Sequence, residues 1–333
     1  MNDVKLIVDD IKQGKLKPIY FLMGEEPYYI DKISDFIQET VLDESEKGFN
    51  QIVMYSRDVS VDEIVSSAKR FPMMAEHQVI IVKEAQDLTR TIDKLEVYAT
   101  NPQPSTILVF NYKYKKLDKR KKVYKAIAKN GLIFESKKLY ENQVGDWITK
   151  VLRGKKYSIE PKASQMLVEF LGTDLSKISN ELDKLTSVLK EGTIISPNHI
   201  EENIGISKDF NNFELRKAVG NKDVVKANRI INYFSQNPKN NPLVMTISLL
   251  NSFFTQLLMY HGLKDKSKAS VARTLGINPY FVDDYVSAAR NYPMRKVSQV
   301  IGFLRDADVR SKGVGANQSQ ADILKELIFK ILH

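Results

Sequence analysis

Val79-Ile80-Ile81-Val82 is a continuous β-branched run. Branching at Cβ favours extended backbone, and a strand apolar on both faces needs cover on both. A parallel sheet flanked by helices supplies that cover. The surrounding chain fits the requirement. Pro18–Met23, Gln51–Tyr55, Thr106–Phe110 and Leu132–Phe134 read as further strands. Helical spacing is found between them. Leu6, Ile7 and Ile11 mark a short helix ending at Gly14, and Tyr29, Ile33, Phe36, Ile37 and Val41 mark one from Glu26. Val61–Lys69, Ile92–Ala99 and the basic Asp118–Lys129 complete the set. Strands alternating with helices over roughly 135 residues predict a doubly wound α/β domain, residues 1–139.

From Tyr140 the strand signals stop. Val144, Trp147, Ile148 and Val151 predict one helix, Ala163, Leu167, Phe170 and Leu171 a second that stops at Gly172. The stripe Leu175, Ile178, Leu182, Leu185 and Leu189 predicts a third, closed by Gly192, and Pro197–Asn203 a fourth. Residues 140–207 then form a small helical domain. A second all-helical block, 208–333, opens with Phe213, Leu215, Ala218 and Val219, followed by Val224–Phe234. It includes a long helix with Asn241 and Pro242 at N-cap and N1. Ser311–Gly315 reads as a loop. The fold class is α/β plus all-α.

The chain has no cysteine, so disulfide and thiol chemistry are excluded. The four histidines (His77, His199, His261, His333) are scattered without metal-ligand spacing, so no metal is expected. No apolar run is read as approaching the ~20 residues of a membrane helix. The N-terminal stretch carries acids and does not read as a signal peptide. No membrane association and a cytoplasmic location are the expectations. The net charge of +9 favours a polyanionic partner, or reflects a lysine-rich proteome.

The first strand and its turn stand where a phosphate-binding loop would stand. A working loop reads G-x-x-x-x-G-K-[ST]. Counted from Gly24, Tyr29 replaces the second glycine, Ile30 the lysine and Asp31 the hydroxyl residue. Glu25 and Glu26 add negative charge at the same place, which suits a helix N-terminus better than a phosphate. After the VIIV strand, where such proteins place an acidic pair for magnesium, Lys83 takes the first position and only Glu84 remains acidic. These residues form a degenerate nucleotide site, with no cofactor expected. Gly24 is then a plain strand–helix turn. Asn111 closes the fourth strand, as a phosphate sensor or a turn residue. Ser176 and Lys177 stand in the region where a sensor arginine would be sought.

Just before the VIIV strand, Phe71-Pro72-Met73-Met74 place large apolar side chains around a proline, which disfavours a regular element. They are either displayed on a loop or packed beneath the sheet. The densest basic run contains Lys113, Lys115, Lys116, Lys119, Arg120, Lys121 and Lys122, interleaved with Tyr112, Tyr114 and Tyr124. It is either a nucleic-acid contact with base stacking or a solvated face with tyrosines packed on lysine stems. Arg216 and Lys217 face a neighbouring subunit or solvent.

The order GEEPYYIDK, FPMMAEHQVIIVKEAQDL, ILVF with LDKRKKVYKAIA, GTDLSKISNELDKL and DFNNFELRKAV resembles the delta subunit of bacterial DNA polymerase III, over essentially the whole chain. The resemblance implies an AAA+-like domain (1–139) carrying a clamp-binding loop, a helical lid (140–207) and a helical collar for oligomerisation (208–333). It implies that Phe71, Pro72, Met73 and Met74 grip the sliding clamp (the beta subunit). It also implies a hetero-pentamer with ATPase clamp-loader subunits and delta-prime, loading primed DNA, and no catalytic site in this subunit of the polymerase holoenzyme. The competing readings are a divergent P-loop NTPase, which lacks its lysine, and a helical adaptor in replication or repair.

Overall fold

In the computed structural model, residues 2–314 and 318–333 are described. They fall into two compact units, Met1–Leu139 and Tyr140–His333.

In the first unit the elements run α1 (Asn2–Lys12), β1 (Ile19–Gly24), α2 (Pro27–Thr40), α3 (Glu44–Asn50), β2 (Gln51–Tyr55), α4 (Val61–Ala68) and β3 (Gln78–Lys83). Two 3-10 turns (Ala85–Leu88, Ile92–Leu95) lead to α5 (Glu96–Thr100), β4 (Thr106–Lys113), α6 (Lys122–Asn130) and β5 (Leu132–Ser136). The five strands pair in the order β2-β3-β4-β1-β5, each pair parallel. Ile80, Val82, Leu108, Phe110, Ile19 and Phe21 pack on Ile64 and Ala68 of α4 and Val123 and Ile127 of α6. The alternate residues Tyr20, Leu22, Val79, Ile81 and Val109 are buried as well, on the side covered by α2. Both faces of the VIIV strand are therefore sealed, as its composition requires.

Local chemistry sets the helix starts. Glu26 caps α2 by accepting from Tyr28 N–H at 3.1 Å, with Pro27 in the first turn. Ser60 and Glu63 form a capping box on α4, and Asp43 and Glu46 one on α3. Helix α3 is absent from the sequence reading because ESEKGFN carries no apolar stripe. The cap alone signals it.

Two boundaries differ from expectation. Strand β4 continues past Phe110 through Asn111 and Tyr112, both buried, to Lys113. Asn111 is therefore a mid-strand residue opposite Leu22, not a turn. The basic helix begins at Lys122 rather than Asp118. Asp118 instead accepts from Arg120 N–H and its guanidinium in the preceding turn.

The second unit contains α7 (Glu141–Gly154), α8 (Pro161–Leu171), α9 (Leu175–Val188), α10 (Pro197–Ile204), α11 (Asn212–Gly220) and α12 (Val224–Gln236). It continues with α13 (Leu243–Gly262), α14 (Lys268–Leu275), α15 (Val282–Asn291), α16 (Met294–Ser311) and α17 (Gln320–Leu332). Strand structure does not cease at Tyr140. Ser158–Ile159 and Ile194–Ile195 pair as a two-stranded parallel sheet, too short to leave a pattern.

Helix α13 corrects the reading of apolar run lengths. Its 20 residues contain no charge, and by length and composition it could cross a membrane. Its stripe Leu243, Ile247, Leu250, Phe254 and Leu257 is buried with residues of α12, α16 and α17 in one cluster, the position of a bundle-core helix. Pro242 occupies its N-cap. Asn241 donates to Asn237 O at 3.0 Å instead of capping. Of the Ser311–Gly315 loop, Ser311 ends α16, and Gly315 lies outside the described residues.

Candidate functional site

Between α4 and β3 the chain forms an irregular loop, and its apolar side chains face outward. Phe71 is 78% exposed, Met73 61%, and Met74 fully exposed. Met74 adopts φ +53°, a left-handed conformation that a non-glycine residue rarely takes. The loop is pinned from within. Met73 N–H donates to Asn50 Oδ1 at 2.7 Å, and Asn50 Nδ2 returns a bond to Met73 O at 2.9 Å. Asn50, the last residue of α3, is buried. At the base, the Gln78 amide donates to Arg70 O and to Thr106 Oγ1. The loop thus shows its apolar side chains while its backbone is tied to the domain at the middle and the base.

At the C-terminal end of β1, the turn at Gly24 is closed. Glu25 N–H donates to Ser136 O and Glu26 N–H to Ser136 Oγ, each at 3.2 Å. Gly24 itself bonds Lys115 O and Tyr114 N–H. Its φ is +129°, and a Cβ there would lie 2.1 Å from Ser136 O, so only glycine fits. Tyr29 and Ile30 point into the core. A phosphate cradle needs free N–H groups, and β5 uses those of Glu25 and Glu26.

Acidic residues near the end of β3 and in α2 are paired with lysines of the protein. Lys113 Nζ lies 3.0 Å from Asp31 and 2.9 Å from Glu84, while Lys83 pairs with Asp35 at 3.0 Å. Burial works to lower the Lys113 pKa, but the bonds to Glu84 and Asp31 outweigh it and hold the ammonium above its ordinary value. Burial likewise opposes ionisation of Glu84, and its bonds to Lys113 and Gln86 prevail, so its pKa is lowered. Among the described residues no His, Cys, Asp and Glu cluster with metal-ligand geometry occurs.

The remaining basic residues divide. Lys116 pairs with Glu25 and Glu135, Lys119 with Glu135, Arg120 with Asp118, and Lys121 with Asp93. Lys115 reaches Gln86 O and Thr89 Oγ1. Lys122 opens α6. Lys119 and Arg120 remain largely exposed. Exposed pairs of this kind are worth little and leave these cations open to other anions.

Arg216 is mostly buried, its side chain 15% exposed where it lines an open pocket of the second unit. It lies over the Phe213 ring at 4.8 Å and 3.5 Å from Glu169, whose pKa is raised by burial against the pull of Arg216. Lys217 approaches Asp284 at 4.0 Å. Lys177 lies beside its own helix cap, Asp174. Sequence reasoning missed Asn50, Ser136 and Glu214. Glu214 is buried and bonded to Lys162 and Lys226. Side-chain bonds across 23 or 110 positions leave no local pattern.

Two family models match the chain. "DNA polymerase III, delta subunit" covers residues 20–137, and "DNA polymerase III delta subunit, C-terminal domain" covers 209–329. The chain belongs to the DNA polymerase III delta subunit family. As a delta subunit it is a component of DNA polymerase III and acts in DNA replication. Delta subunits of two bacteria are similar to it. The Bacillus subtilis protein is 26% identical, with 91% of this chain and 90% of that one covered. The probable delta subunit of Aquifex aeolicus is 19% identical over 75% and 72%. Among solved structures, the Bacillus subtilis DNA clamp loader delta protein aligns with a TM-score of 0.57 and 24% identity over 99% of both chains, a likeness of fold. The parallel five-stranded domain followed by helical regions is the fold that this chain shares with that protein.

Proposed function

We propose that this delta subunit binds and opens the sliding clamp with Phe71, Pro72, Met73 and Met74, and has no ATPase of its own. The observation that carries the reading is the outward display of Phe71, Met73 and Met74 on a loop tied down by Asn50. A soluble fold gains nothing from such exposure unless a partner covers it. Burying each side chain contributes ~1.5–3 kcal/mol, so three give roughly 5–9 against an association cost of ~4–15. The loop needs further contacts around its rim to make a tight complex.

The closed turn at Gly24 and the Lys113 bridge support a subunit without nucleotide chemistry. ATP on neighbouring subunits then controls access of the loop to the clamp. In this reading residues 1–139 grip the clamp, 140–207 form the lid and 208–333 the collar. The collar joins ATPase subunits and delta-prime in a hetero-pentamer that acts on primed DNA in the cytoplasm. Lys119 and Arg120, with the neighbouring lysines, are candidates for phosphate contact without sequence readout.

The test is a titration of the purified chain with its cognate clamp and, separately, with a fluorescent ATP analogue and magnesium. Clamp binding without nucleotide binding is expected. Micromolar nucleotide affinity, or no affinity for the clamp, would remove the reading.

A further inference from the structure

We infer that Asn50 is a positioning residue for clamp recognition, holding the loop in its gripping shape before the clamp arrives. The inference rests on the proposed role of the Phe71–Met74 loop.

Asn50 is 2% exposed, yet its amide satisfies both backbone groups of a residue 23 positions away, the N–H and the C=O of Met73. It is itself fixed by a third bond, from Nδ2 to Glu46 O at 3.2 Å, within a helix closed at its other end by the Asp43–Glu46 box. A side-chain amide carries the donor and the acceptor on two adjacent atoms, the pair needed to meet one residue's C=O and N–H together. The next residue, Met74, holds a left-handed backbone, which persists only where its surroundings enforce it. Among the bonds described, those to Asn50 are the restraint at that point. Without them an exposed apolar loop collapses or samples many shapes, and ordering it on contact subtracts from affinity. Asn50 therefore acts on the clamp complex through the free state of the loop.

The test is a cycle of Asn50→Ala, Met73→Ala/Met74→Ala and the triple variant in the full chain, read by clamp affinity and by amide hydrogen exchange. With two backbone bonds lost, Asn50→Ala is expected to weaken clamp binding about tenfold. It should speed exchange at Met73 while leaving the β3 amides protected, which shows that the fold is intact. Asn50→Asp, which keeps the acceptor and loses the donor, should fall between. In the Met73→Ala/Met74→Ala background Asn50→Ala should have little further effect. An unchanged or tighter clamp complex, or the same loss in both backgrounds, overturns the inference. If Met73→Ala/Met74→Ala alone leaves binding unchanged, the clamp-loop reading itself has failed, a separate outcome.

Discussion

Lys113 Nζ, at the end of β4, stands 2.9 Å from the carboxylate of Glu84, the residue just past the end of β3. With Asp31 it forms a bridge between the first-turn helix α2 and two strand ends. Lys113→Met should cost about 1–3 kcal/mol, because two carboxylates lose the cation that holds them together. Urea unfolding of the variant against the parent measures it. The variant should gain no nucleotide binding, since the Glu25 and Glu26 amides stay bonded to Ser136.

The same pair fixes a pH dependence. Glu84 has a folded pKa below its ordinary 4.5, so its contribution is whole above that value and is lost as pH falls through the folded one. Lys113 has a folded pKa above 10.5, so its contribution is whole below that value and is lost as pH rises through the folded one. The stability gap between parent and Lys113→Met should be flat across neutral pH and close toward both acid and strong base. A gap that widens in acid would contradict the assignment.

Gly24→Ala should destabilise the first unit by roughly 2–4 kcal/mol, from a forbidden φ and a clash with backbone rather than a movable side chain. A melt of the variant tests this. Gly14, at φ +72° with nothing within 4 Å of a built Cβ, should lose less on the same change.

The sheet and most helices were legible because their cores are continuous apolar runs or clean stripes, as in Val79–Val82 and Leu175–Leu185. Helix α3 was not, since its apolar content is a single exposed Phe49. The extension of β4 was hidden because Asn111 and Lys113 look like loop residues until their partners in α2 and after β3 are placed. That Ile30 and Lys83 stand where a phosphate-binding loop would have its lysine and its first acidic residue could be read directly. That Lys113 bridges Asp31 and Glu84, and that Ser136 holds the turn, depends on contacts between distant segments. Arg216 looked like a surface charge because Glu169, 47 residues earlier, carries no mark of burial in sequence.

If the basic run touches phosphate in the assembled loader, Lys119→Ala/Arg120→Ala should reduce the slope of log affinity for DNA against log salt by about 1–2, one counterion per contact. Fold stability should stay nearly constant, because both side chains are exposed and their pairs weak. An unchanged slope would remove these two residues from the interface.

The most direct measurement is clamp affinity of the Met73→Ala/Met74→Ala chain beside the parent. Both side chains are exposed in the free subunit, so the unfolding midpoint should not move. The clamp complex should weaken at least about 100-fold, from ~1.5–3 kcal/mol for each side chain buried. A variant that holds the clamp within about twofold of the parent, a difference under ~0.5 kcal/mol, would contradict the account.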